Sequence, residues 1–174
     1  MDEPARPAPV IVAAEIGSAD FAWLERLRRE NYPAERNTVP AHITVFHHLP
    51  PSLIPELDAR LRMEARTTRR LVATIGEPML LGNGVALRVR CAPLDAIRGR
   101  LAEAFGGMLV PQDASGWRAH ITIQNKVSPA IARRLHMEMT RMFEQPRALH
   151  ITGLATFHYR DGPWEPIARY RFAG

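Results

Sequence analysis

Displaced by 78 positions (120 − 42), this chain of 174 residues lies over itself. His42-Ile43-Thr44-Val45 falls on His120-Ile121-Thr122-Ile123. The register then holds without a gap: Pro51 falls on Pro129, Leu53 on Ile131, Leu57 on Leu135, Arg69 on Arg147 and Leu71 on Leu149. Two copies are too few for a solenoid, which needs at least three stacked repeats to bury a core. They call instead for one pseudo-symmetric domain, and the length suits a single domain.

Local patterns recur in the same order. Residues 10–16 are an apolar run suited to a buried strand. Ser18 or Asp20 can cap a helix to about Glu30, with Phe21, Leu24 and Leu27 as its stripe. A strand over 41–47 carries the first motif, Ser52 can cap a helix striped by Leu53, Leu57 and Leu61, and 71–75 read as a strand. After the Gly82-Asn83-Gly84 turn signal come a strand at 85–89, a helix at 93–105 and the second motif strand at 118–125. Ser128 with Pro129 at the first helical position opens a helix to about Phe143. A strand at 147–159 follows, Gly162-Pro163 turns the chain, and a last strand lies near 167–172. Residues 1–9, with Pro4, Pro7 and Pro9, read as a flexible leader.

A strand sends alternate side chains to opposite faces. In each motif His and Thr therefore share a face while the aliphatic residues pack behind. A twofold axis relating the copies presents His42, Thr44, His120 and Thr122 to one groove. An imidazole titrates near pH 6.5, so a pair can hold one neutral and one protonated ring. The first can take a proton from water and the second give one to a leaving oxygen. The threonine hydroxyls can donate to non-bridging phosphate oxygens. This is acid/base chemistry at a phosphate, and it requires no metal, cofactor or covalent intermediate.

A third string, His150-Ile151-Thr152, falls under the same shift on Val72-Ala73-Thr74. It has no symmetry mate, and His150 is read as structural. Among substrate-binding candidates, Arg118 and Gln124 alternate onto the His120 face, and Phe46 alternates onto the His42 face, where it either stacks on a base or packs. Lys126 is the remaining basic candidate beyond the second motif. Tyr32 and Trp117 lie in loops before the motifs. His47 and His48 are adjacent on a strand, point to opposite faces and make a poor chelating pair.

The net charge is +5 and the pI about 10.3. That permits a polyanionic partner, although Lys126 is the only lysine and a GC-rich coding sequence explains the arginine excess equally well. A lone cysteine, Cys91, supports neither a disulfide nor a cysteine metal cluster. No apolar run approaches the roughly 18 residues of a membrane span, and the N-terminus lacks the regions of a signal peptide. A cytoplasmic protein is expected, with no membrane contact and no obligatory protein partner.

The two His-x-Thr motifs and the repeated order around them resemble the two-histidine phosphoesterases, which include the 2′-5′ RNA ligase-like proteins and the cyclic nucleotide phosphodiesterases. The resemblance implies an α+β, bilobal, pseudo-symmetric duplicated βαβαβ fold, with two antiparallel sheets around a central groove and helices outside. Residues 10–174 then form one domain, its lobes built from repeats at about 10–80 and 84–159 with a C-terminal strand at 165–172. It also implies opening of a 2′,3′-cyclic phosphate, or the reverse formation of a 2′-5′ linkage, on RNA or a nucleotide. His42 and His120 become the acid/base pair, and Thr44 and Thr122 the phosphate binders. RNA ligase-like members tend to place an arginine soon after the second motif, where this chain has Gln124-Asn125-Lys126. A non-catalytic RNA-binding protein that keeps the groove, and a phosphodiesterase of a small metabolite, are the alternatives.

Overall fold

The computed structural model describes residues 7–174. Its strands are β1 (Val10–Ile16), β2 (Ile43–Leu49), β3 (Leu71–Leu80), β4 (Val85–Arg90), β5 (His120–Gln124), β6 (Arg147–His158) and β7 (Glu165–Arg171). Between them lie α1 (Ser18–Asn31), α2 (Ile54–Thr67), α3 (Ala92–Phe105), the short α4 (Pro111–Ala114) and α5 (Pro129–Met142). The expected α+β, antiparallel, pseudo-symmetric architecture is present. Its two half-sheets are continuous: seven strands run β2-β1-β6-β3-β4-β5, with β7 also paired to β6, and every pairing is antiparallel.

Exchanging each strand for its copy in the other repeat reverses this order into itself. The axis can be placed to the residue. β3 and β6 pair Leu71 with Ile151, Val72 with His150 and Ala73 with Leu149. The shift of 78 carries Leu71 onto Leu149 and Ala73 onto Ile151, so the pseudo-twofold passes between the partners Val72 and His150. The third His-Ile-Thr string thus starts at the axis.

One expectation needs correction. The repeats do not map one to one onto the half-sheets, because β6 of the second repeat pairs with β1 of the first, and β3 of the first pairs with β4 of the second. Each half-sheet is completed by a strand from the other repeat.

Helix stripes explain which sheet face is covered. Leu57 and Leu61 of α2, and Leu94, Ile97 and Leu101 of α3, join Ile75, Leu87, Leu149, Ile151 and Leu154 in one buried core. Each such side chain contributes roughly 1.5–3 kcal/mol on burial. The opposite face lacks a covering layer at its centre, where Val72 is 67% exposed. No helix among the described residues is long and apolar enough to cross a membrane.

Helix starts agree with the sequence only in part. Ser128 caps α5, its side chain accepting from Ile131 N at 3.4 Å. α1 begins after Gly17 with no side-chain cap, and α2 begins after a 3-10 turn at Pro51–Leu53, so neither Ser18 nor Ser52 has the expected role. β3 runs past 75 because a bulge between Ile75 and Pro78 absorbs the proline, which cannot donate to a regular ladder. Of the expected leader, residues 1–6 lie outside the described residues. Residues 7–9 are tied down: Ala8 is buried and Pro9 O accepts from Tyr159 N at 3.1 Å.

Gly84 allows the closest backbone approach among the glycines. A Cβ there would sit 2.0 Å from Gln124 O, 2.6 Å from its carbonyl carbon and 2.7 Å from Asn125 Cα, all of them backbone atoms. Gly84→Ala is expected to destabilise the fold by about 3 kcal/mol, read as a lower urea midpoint. An unchanged midpoint would show that β4 and β5 are not pressed together as described.

Candidate active site

Both motif strands lie at the ends of the sheet order, and the sheet curls until β2 and β5 come into contact. Edge strands leave backbone groups unpaired. Here side chains, several of them from the other repeat, occupy them. Arg28 of α1 donates Nη1 to Thr122 O at 2.5 Å, and Trp117 donates Nε1 to Thr44 O at 3.0 Å. Arg98 of α3 donates to Val45 O at 3.4 Å. The Asp113 carboxylate of α4 accepts from His47 N and His48 N, both at about 2.9 Å, and from His47 Nδ1 at 3.0 Å. Burial alone would raise the Asp113 carboxyl, but these bonds outweigh it and hold it below the usual carboxylate range.

The two histidines are set alike. His42 Nδ1 lies 2.7 Å from Pro40 O, and His120 Nδ1 lies 2.8 Å from Arg118 O, each the carbonyl two residues upstream. A carbonyl only accepts, so Nδ1 carries the hydrogen in both rings. Each Nε2 then has no protein partner among the described residues. Thr44 and Thr122 are half-buried, and neither hydroxyl is engaged by a described residue. Residues 42–46 and 120–124 share one burial pattern: half-buried, buried, half-buried, buried, buried.

That pattern overturns two expectations by one cause. β1 advances one residue, Val12 to Ala13, while β2 advances two, Phe46 to Thr44. β4 does the same against Gln124 and Thr122. A bulge therefore follows each motif threonine and ends the alternation. Phe46 is fully buried with the Arg98 guanidinium 4.4 Å from its ring centroid, so it has no face free for a base. Gln124 is 2% exposed rather than lining the groove. Arg118 is exposed, just before β5. Lys126 is exposed in the turn after β5 with a left-handed φ of 63°, and no described contact links it to the histidines. Trp117 is a strand tie, and Tyr32 lies under Arg28 at 4.7 Å.

The surroundings of the histidines are not symmetric. β7 and the turn before it have no copy in the first repeat, and they bring Trp164 to 4.4 Å from the His42 ring. Burial pushes His42 down to about 4, with the charges of Arg28, His120 and His47 adding to it. A cavity of about 850 Å³ opens beside His42, bounded by the start of α1, residues 38–41, β1, β6 and β7. His120 does not line it.

The His42 shift makes a stability prediction. The folded value lies below the unfolded one of about 6.5. The unfolded chain therefore binds the extra proton first as pH falls. Stability is unaffected above pH 6.5 and declines between 6.5 and 4, by up to about 3 kcal/mol and less for a half-exposed ring. His42→Gln is expected to lose that part of the decline in paired denaturant titrations. Parallel wild-type and variant curves would contradict it.

Arg28 and Arg98 are the residues that motif reasoning missed. Each stands four positions after a stripe leucine, Leu24 or Leu94, where an arginine faces the interior.

Residues 17–163 match the model of the 2′-5′ RNA ligase superfamily. Comparison with curated proteins returns no match. Among solved structures, E. coli LigT complexed with 3′-AMP superposes with a TM-score of 0.63 at 14% identity, covering 97% of this chain and 100% of that one. TT0787 of Thermus thermophilus gives 0.65 at 13% identity, covering 95% and 98%. A protein described as a phosphoesterase gives 0.63 at 16%, covering 97% and 100%.

Proposed function

Because this chain belongs to the 2′-5′ RNA ligase superfamily, we propose that it opens 2′,3′-cyclic phosphates on RNA ends or nucleotides, and in reverse forms 2′-5′ linkages, through His42 and His120. The observation that carries this reading is the matched pair of Nδ1-to-carbonyl bonds, which leaves both Nε2 atoms for chemistry. LigT has been crystallised with 3′-AMP, ATP and NADP+, in keeping with a nucleotide ligand for this groove.

The roles follow from the asymmetry. His42, held neutral by its surroundings, is the base: its Nε2 takes a proton from water as the water oxygen bonds to phosphorus. His120 is the acid. Its Nε2–H goes to the ribose oxygen as the P–O bond breaks, while its Nδ1–H stays on Arg118 O. Thr44 and Thr122 hydroxyls donate to the non-bridging oxygens. The product is a phosphomonoester, and the rings exchange protons with solvent before the next turnover. With a ribose 5′-hydroxyl in place of water as the attacking group, the same two transfers form the P–O5′ bond, break the P–O3′ bond and leave a 2′-5′ linkage. No step is assigned to a metal ion.

Incubation with 2′,3′-cyclic nucleotides in EDTA tests the proposal. Release of a phosphomonoester is expected. RNA binding without any turnover would favour a non-catalytic reading instead.

A further inference from the structure

We propose that the cavity beside His42 holds the nucleoside that carries the reacting phosphate, and that Arg70 and Arg171 bind a second phosphoryl group on its 5′ side. The inference rests on the catalytic reading above for the placement of the first phosphate. At about 850 Å³ the cavity lies within the roughly 300–1,000 Å³ of small-molecule sites. It runs from His42 to both arginines. Its middle is apolar: Phe21, Val39, Phe157 and Trp164 line it, and the last two rings stand 5.5 Å apart. Such walls suit a nucleobase.

Charge sorts the far end. Glu15 is taken by a bidentate bond from Arg169, at 2.6 and 3.0 Å. Asp20 is taken by His150, through its backbone N at 2.8 Å and Nδ1 at 3.1 Å, and by Trp23. Arg70 and Arg171 have no hydrogen-bonding or ionic partner among the described residues, and both are exposed. The topology brings them together. The start of β3 and the end of β7 abut on one edge of β6, where Arg171 pairs with Gly153 and Phe172 N bonds to Thr152 O. Arg69 bridges to Ala173 at the same junction. The first turn of α1, which no side chain caps, lines the cavity too and adds the positive end of its dipole. Two unpaired guanidiniums facing an apolar slot, with a phosphate chemistry at its other end, describe a ligand with phosphoryl groups on both sides of one nucleoside.

Calorimetry reads the subsite independently of turnover. Adenosine 2′,5′-bisphosphate is compared with 2′-AMP, and adenosine 3′,5′-bisphosphate with 3′-AMP, each pair differing only in the 5′-phosphate. The bisphosphates are expected to bind roughly ten- to hundredfold more tightly. Arg70→Met and Arg171→Met should each remove most of that advantage, while Arg133→Met, an equal charge change on α5, should keep it. Equal affinities within each pair, or an advantage indifferent to Arg70 and Arg171, overturns the proposal. Kinetics with a cyclic mononucleotide, its 5′-phosphorylated form and a dinucleotide ending in a cyclic phosphate then separates sources. A lower KM for the 5′-phosphorylated form alone indicates a terminal phosphate, and a lower KM for both indicates the phosphodiester of an RNA strand. Tight bisphosphate binding with no turnover of any cyclic substrate would defeat the catalytic reading and leave the subsite standing.

Discussion

Alanine at His42 or at His120 is expected to lower kcat on a 2′,3′-cyclic nucleotide by roughly 10²–10⁴-fold, the usual range for one acid or base. The pair should be non-additive, since removing one ring leaves the other nothing to complete; the double variant should fall little below the weaker single one. The pH profiles distinguish the partners. Wild type should rise on its acid side near the His42 value of about 4. His42→Ala should lose that rise, and His120→Ala should keep it at lower turnover. Single variants with wild-type turnover would sink the assignment outright, and a rise lost in His120→Ala but kept in His42→Ala would reverse the roles.

Arg28→Met should be the most damaging change outside the histidines. Arg28 is 3% exposed and donates to Thr122 O, Val39 O and Asn37 Oδ1. Methionine fills similar space but leaves three acceptors without a donor, at about 1–3 kcal/mol for each that water does not reach. A loss of about 3 kcal/mol is expected in denaturant unfolding. A second effect separates positioning from mere stability. The Arg28 charge helps to depress His42, so its removal raises the His42 value and moves the acid limb of kcat/KM to higher pH. A destabilised variant with an unmoved limb would restrict Arg28 to holding β5.

The motif pair was legible because two strands in register within a repeat constrain each other. The β3–β6 register obeys the same shift, which exchanges the pair Leu71–Ile151 with the pair Ala73–Leu149, although the pairing itself was not legible in the sequence. Phe46 and Gln124 were misplaced because strict alternation has no means of anticipating an extra residue. The bulge depends on what β1 and β4 present opposite, which local pattern does not contain. Arg28 and Arg98 were hidden for a related reason: an arginine on an apolar stripe looks like a solvated charge until the strand whose carbonyl it reaches is known. Trp164 was beyond symmetry altogether, since it belongs to the one segment without a copy.

The exchange of third strands also governs how the protein is made. β1 pairs with β6 between Val10 and His158, partners 148 residues apart (158 − 10). At roughly 5–20 residues per second of synthesis, β1 waits about 7 to 30 seconds for the strand that completes its half-sheet, with the motif strand β2 beside it. Contacts of such long range also slow folding after release. During that interval β1 offers a bare apolar edge. The strand beside the first histidine is completed only once β6 has been made, so a proposed site divided equally between two repeats is nonetheless assembled late, after both motifs have been synthesised.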